Sequence, residues 1–241
     1  MMVQQTAVLP DRIASRRPKT LPVGYHLTHF QEMLDCMEQV YAHVLDDAER
    51  LWMADFRMLD PSAQSLLVRM SNRKGTVFRK EQLRYDDVDD QAVRVDELVT
   101  AGFVDFLNQD DFADALAVHT KDDLFDLLLE AHAEEGVRRS WARSKIEEAV
   151  RARLEFHDCF GDARRAEFVV QRRIEPLRYF LYLYFGRIEE SLTRFALRDL
   201  GLMRSNGVKG TFEARFETRR EATESFFFAG KLARFDSRDA A

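Results

Sequence analysis

From Phe30 to Trp52 the large apolar residues fall at steps of three and four: Phe30, Met33, Leu34, Met37, Tyr41, Val44, Leu45, Ala48, Leu51 and Trp52. That period predicts one amphipathic helix of about six turns, and the two-residue alternation of a strand does not reproduce it. A helix with such a stripe must lay it on other elements, so the chain is committed to a packed helical core. Asp60-Pro61 opens a second helix, because proline suits the first helical turn; Ala63, Leu66, Leu67 and Met70 form its apolar side and Gly75 ends it.

Beyond Gly75 the period shortens. Val77, Phe78, Leu83, Tyr85 and Val88 fit short extended pieces joined by a turn. Residues 91–101, QAVRVDELVTA, return to helical spacing, Gly102 stops them, and Phe103, Val104, Phe106 and Leu107 suit a short closing strand. The order helix, helix, basic turn, helix and β-rich edge predicts a mainly α fold with short β elements, beginning with a winged-helix-like unit over residues 25–108. Residues 1–24, with three of the five prolines and four cations, read as an extended basic arm.

A second helical unit follows over residues 109–204. Thr120 with Asp123 forms a capping box that opens KDDLFDLLLEAH. After Gly136 comes a basic helix around SKIEEAVRARL, introduced by the turn RRSWARSK. EFVVQRRI has strand character, and Pro176 opens the apolar run LRYFLYLYFGRIEESLTRFALRDLG, a helix pair that ends at Gly201. Arg215 to Phe235 is helical again, and its Phe226, Phe227, Phe228 and Leu232 side has no evident partner in the sequence. No internal repeat is present.

At 241 residues, 46% apolar and 32% charged, the chain can bury a sizeable core. Neither a bilayer-length apolar run nor the apolar centre of a secretory signal is present, which predicts a cytoplasmic, nucleoid-associated protein with no membrane partner. Cys36 and Cys159 are too few for a disulfide framework. The net charge of −6 argues against nucleic acid only as an average. Residues 81–135 hold seventeen acids against three cations, a balance of −14, which leaves +8 for the rest of the chain. Residues 138–178 carry eleven cations against seven acids. Segregation of this kind makes local fields that the total hides.

Enzyme motifs are missing: there is no GxGxxG, phosphate loop, HExxH, GxSxG or CxxC. His26 with His29, and His157 with Cys159, lack the second pair a metal site needs. Nucleases of the restriction type place an acid two residues before a lysine; the residues two before the seven lysines are Arg17, Asn72, Phe78, His119, Arg143, Gly207 and Ala229, none acidic.

Between Gln64 and Lys80 stand Arg69, Arg73, Lys74, Arg79 and Lys80 with no acid. Arg69 and Arg73, four apart, project from one side of the second helix, and the rest continue across a turn whose Gly75 admits close backbone approach. This cluster fits neighbouring phosphates of a DNA duplex. Equally, it fits an internal salt-bridge patch with Asp86 to Asp90. Arg138, Arg139, Arg143 and Lys145 crowd the start of a helix, where cations oppose the helix dipole and an incoming anion would justify them. The bland reading is a solvated loop anchored by Trp141. Arg172 and Arg173, in the same basic stretch, complete the candidate DNA-binding set.

The phrase carried by Ala63-Gln64, Leu67-Val68-Arg69, Arg73-Lys74-Gly75 and Phe78-Arg79, with the later Leu197-Arg198-Asp199-Leu200-Gly201, resembles the bacterial branch of the Fanconi-associated nuclease family over roughly residues 25–220. Members are structure-selective nucleases that act on 5′ flaps and contribute to interstrand-crosslink repair. The resemblance implies an N-terminal domain, a SAP-type DNA-binding domain over residues 109–204, and the start of a helical-repeat region over 205–241. It further implies a nuclease domain, dependent on Mg or Mn, beyond what this chain carries. Accordingly no catalytic residue, metal ligand or cofactor is expected in this chain, and the partners expected are duplex or branched DNA and a C-terminal helical-repeat or nuclease domain, in one chain or another. The alternative function is a helical interaction module that docks a partner through its C-terminal apolar side.

Overall fold

The computed structural model describes residues 24–188 and 213–239. It is mainly helical with one small sheet, as the periodicities predict, and among the described residues no helix is long and apolar enough to cross a membrane. The arm at 1–23, the second helix of the apolar pair and the Leu197–Gly201 phrase lie outside the described residues.

The predicted long first helix is two. α1 (Tyr25–Val40) ends before a 3-10 turn at Ala42–Val44, and α2 (Asp47–Met58) starts afresh. Asp46 accepts a hydrogen bond from the Glu49 amide at 3.0 Å while Glu49 accepts one from the Asp46 amide at 2.6 Å, a capping box that restarts the helix and redirects it. The apolar stripe therefore breaks at its far end: Trp52 is buried and Leu51 is 59% exposed.

α3 (Pro61–Ser71) stops at Asn72, earlier than the predicted Gly75, so Arg73 and Lys74 lie in the turn and not on the helix. β1 (Val77–Arg79) follows, then α4 (Gln91–Thr100) and β2 (Val104–Asp105). Gly102, at φ +73°, adopts the left-handed conformation that lets its amide and that of Phe103 bond back to Val99 and Leu98, the predicted stop. α5 (Phe112–Ala117), α6 (Lys121–Glu130), α7 (Arg143–Arg153) and the single turns α8 (Phe156–Cys159) and α9 (Asp162–Arg165) lead to β3 (Phe168–Gln171) and α10 (Ile174–Phe185). The last element is α11 (Arg219–Asp239).

β3 is the middle strand of a three-stranded antiparallel sheet in the order β1-β3-β2. All four of its residues are buried because both sides of the sheet are covered. Val77, Phe168 and Val170 join a core with Leu116, Leu124, Leu128, Ile146 and Phe160. Phe78, Val169 and Val104 face the other way, into a larger core around α1–α4 and α10. Trp52 is the hub of that second core, stacked on Phe56 at 5.5 Å and edge-on to Phe103 and Phe180.

α11 returns to this larger core. Phe226 packs on Tyr179 and Tyr182, and Arg219 pairs with Asp46 and Glu49 at the start of α2. Part of the apolar side that lacked an evident partner is thereby covered, while Phe227 and Phe228 remain 60% and 62% exposed.

Candidate nucleic-acid interface

Strand period carries the first basic stretch to the second. Val77 and Arg79 share one side of β1, and the register sets Arg79 opposite Phe168, so its guanidinium lies over the Phe168 ring at 5.1 Å, on the side where α6 packs. There it meets Asp123 at 3.1 Å.

α6 begins with the predicted capping box. Thr120 Oγ1 accepts from the Asp123 amide at 3.1 Å, and the Asp123 carboxylate accepts from the Thr120 amide at 2.9 Å. Burial pushes the Asp123 carboxyl up, but the Thr120 hydrogen bonds and the Arg79 charge outweigh it and hold the group below the ordinary aspartate range.

Asp122 and Asp126 flank Asp123 on the same helix start. Arg139, from the connection before α7, reaches Asp122 at 3.2 Å and Asp126 at 2.5 Å, with its guanidinium over the Phe125 ring at 4.9 Å. Arg143, the first residue of α7, donates to the carbonyls of Leu116, Ala117 and His119, just ahead of α6, and to Glu147 at 2.7 Å. Arg79 from the first basic stretch and Arg139 from the second, far apart in sequence, thus meet around the start of α6, where its carboxylates already engage both.

Other candidates divide into committed and available cations. Arg69 pairs with Asp87 at 3.0 Å, and Asp87 also accepts from Ser65. Burial raises the Asp87 carboxyl, yet the Ser65 and Arg69 hydrogen bonds bring it below its ordinary value. Arg172 grips Asp111 through two bonds of 2.6 and 2.7 Å. Arg173 pairs with Asp55 at 2.7 Å and lies over Phe103. Its φ of +53° is strained for a side-chain-bearing residue, and the Trp52 indole N–H holds its carbonyl at 2.9 Å.

Among the described residues, Arg73, Lys74, Lys80, Arg138 and Lys145 form no ion pair. Arg69 and Arg73 flank the Tyr85 ring at 5.2 and 5.5 Å. Lys80 lies over Phe106, and Lys145 over Trp141 at 3.8 Å. Lys74 and Arg138 are exposed. Sequence reasoning passed over Arg84, exposed just beyond the 3-10 turn Lys80–Gln82; with Lys80, Arg79, Glu81, Asp96 and Glu167 it lines a cleft of about 380 Å³. The acids that engage the cations also went unassigned individually, because only tertiary packing selects them from the seventeen.

Among the described residues no group of three or more His, Cys, Asp or Glu side chains could hold a metal ion. His29 faces Glu32, and exposed His157 faces Glu155 and Asp158. Burial pushes the Cys36 and Cys159 thiols up to about 11, away from reactive thiolate.

Residues 24–105 match the protein family described as "FAN1, HTH domain". The chain is 32% identical over 222 residues to the Fanconi-associated nuclease 1 homolog of Pseudomonas aeruginosa, across 88% of this chain and 38% of that protein. It is 30% identical over 81 residues to the Fanconi-associated nuclease 1 homolog of Oryza sativa subsp. japonica, across 34% of this chain and 8% of that one. Its fold is similar to crystal structures of paFAN1 at 27% identity. With 2-nt 5′-flap DNA with gap bound, the TM-score is 0.77 over 91% of this chain and 40% of that one. With 1-nt 5′-flap DNA with gap bound, it is 0.75 over 88% and 39%. The chain spans about two fifths of the length of these bacterial relatives. By sequence and by fold, the chain is similar to part of the Fanconi-associated nuclease 1 homologs, and residues 24–105 match the HTH domain of that family.

Proposed function

We propose that this chain is the DNA-holding part of a 5′-flap repair nuclease and grips the duplex of a branched DNA through its phosphates. The observation that carries this reading is that Arg79 and Arg139, from two distant basic stretches, meet at the start of α6, with Arg138 beside Arg139 in the chain and Lys145 in the first turn of α7 forming no ion pair among the described residues. Arg73, Lys74, Lys80 and Arg84, before and after β1 in the chain, are further cations without an ion pair among the described residues. In this reading residues 25–108 act as a winged-helix-like unit and 109–204 as a SAP-like unit, with residues 205–241 beginning a helical-repeat region and catalysis supplied elsewhere in the relatives' plan. Cytoplasmic, nucleoid-associated work in interstrand-crosslink repair follows from the same kinship. The similar fold of paFAN1, seen with flap DNA, supports it.

Phosphate-directed binding predicts a steep salt dependence, with log K falling by about 0.9 per contact against log salt. If the five unpaired cations all touch phosphate, the slope is about −4 to −5. Replacing Lys74, Arg138 and Lys145 by Ala should weaken binding of labelled 5′-flap DNA and make the slope shallower by about 2 to 3. A salt-independent signal, or an unchanged slope in that triple variant, contradicts the reading.

A second reading has its own observation. Phe227 and Phe228 stand exposed on α11, with Lys231 over the Phe227 ring at 4.4 Å, an apolar surface suited to a helical partner. A partner-binding role without DNA predicts self-association or capture of a protein that Phe227→Ser with Phe228→Ser abolishes, measured by light scattering and pull-down.

A further inference from the structure

We propose that the start of α6 screens the DNA-binding surface: the Asp122 and Asp126 carboxylates hold the Arg139 guanidinium in place of a phosphate, and DNA binds by displacing them. The inference rests on the DNA-holding role argued above and adds to it an internal competitor.

Carboxylate and phosphate oxygens present a guanidinium with the same forked acceptor geometry, so one can substitute for the other on a single Arg. What decides whether exchange occurs is how deeply the existing pair is committed. Arg139 is 52% exposed, and its partners Asp122 and Asp126 are 63% and 52% exposed. All three side chains can regain water when they part, and exposed pairs of this kind are weakly held. Arg172 with Asp111 is the contrast: 31% and 7% exposed and doubly hydrogen bonded, a pair that exchange would leave as a stranded buried carboxylate.

Location supports exchange as well. Arg139 follows Arg138, which is exposed and unpaired among the described residues, and the stretch leads into α7, whose first turn carries Lys145. Ala142, the residue before α7, offers no side-chain cap, so the helix's leading amides add positive potential beside these cations. A polyanion drawn there would meet Arg138 and Lys145 first and then compete for Arg139. Asp122 and Asp126 lower the affinity of this surface and leave it responsive to salt.

The test measures binding of the full chain to fluorescently labelled 5′-flap DNA at one fixed salt concentration, with circular dichroism to confirm helix content. Asp122→Asn with Asp126→Asn should tighten binding by about fivefold, the upper range for one exposed ion pair. A charge-matched control, Asp35→Asn with Glu38→Gln, releases Arg57 elsewhere and should change affinity by less than about twofold through long-range charge alone. Adding Arg139→Ala to the Asp122/Asp126 variant should remove the gain. Should the double variant lose helix content, Asp126→Asn alone decides, with part of the gain expected. If the wild-type chain binds but the Asp122/Asp126 variant binds no tighter than the control, the screening inference is overturned. If no variant binds even at low salt, the DNA-holding role fails and the inference fails with it.

Discussion

At the scale of single residues, His26 is the most informative titrating group. It is 7% exposed, its Nδ1 has no partner among the described residues, and burial, reinforced by the nearby Arg69 charge, pulls its pKa down to about 4. Between that value and an ordinary histidine's 6.5 the unfolded chain binds a proton that the folded chain does not. Stability is therefore predicted to fall as pH drops from 6.5 toward 4, by on the order of 3 kcal/mol across the window. His26→Gln should flatten that leg in urea unfolding at pH 7 and pH 5; an unchanged slope contradicts it. A second residue-scale prediction concerns Arg172→Ala, which leaves the buried Asp111 carboxylate with only the Asn108 amide as a partner among the described residues and should cost about 3 kcal/mol in the same measurement. The Thr120–Asp123 box was legible in the sequence because its partners are three residues apart. Arg172–Asp111, sixty-one residues apart, was not, since nothing local selects one aspartate among many.

Among elements, the split of the predicted first helix shows where periodicity misleads. Apolar spacing continued smoothly past Val40, but Asp46 and Glu49 carried a stronger local instruction, a helix start. Arg219 from α11 binds the same two carboxylates, at 2.5 Å and 2.6 Å, so the break also anchors the last helix. Asp46→Ala is expected to lose about 1–2 kcal/mol, as removal of a helix cap does, and to loosen α11, seen as faster amide exchange there. α10 ends at Gly186, whose φ of +77° suits glycine, and the Arg215 guanidinium lies against it while donating to the Tyr182 and Leu183 carbonyls. A methyl group at Gly186 would push the end of the flexible Arg215 side chain aside and hold a strained, left-handed backbone. Gly186→Ala should lower the melting temperature by several degrees, a loss of about 1–2 kcal/mol from backbone strain alone.

For the whole molecule, one sheet divides two cores, and this was the least legible feature. The three strands were each readable as extended segments, but their pairing order depends on β3 coming back from residues 168–171 to sit between β1 and β2. Once it does, two-residue alternation sends Phe78 and Val169 to one core and Val77, Arg79 and Phe168 to the other side, which brings Arg79 to α6. The charge segregation visible in the sequence thus becomes a spatial arrangement in which acids and cations interleave. The most direct test of the account is the salt dependence of 5′-flap DNA binding by the intact chain. The account predicts a log–log slope of about −4 to −5 that becomes shallower by about 2 to 3 when Lys74, Arg138 and Lys145 are replaced by Ala; binding insensitive to salt, or a slope those replacements leave unchanged, contradicts it.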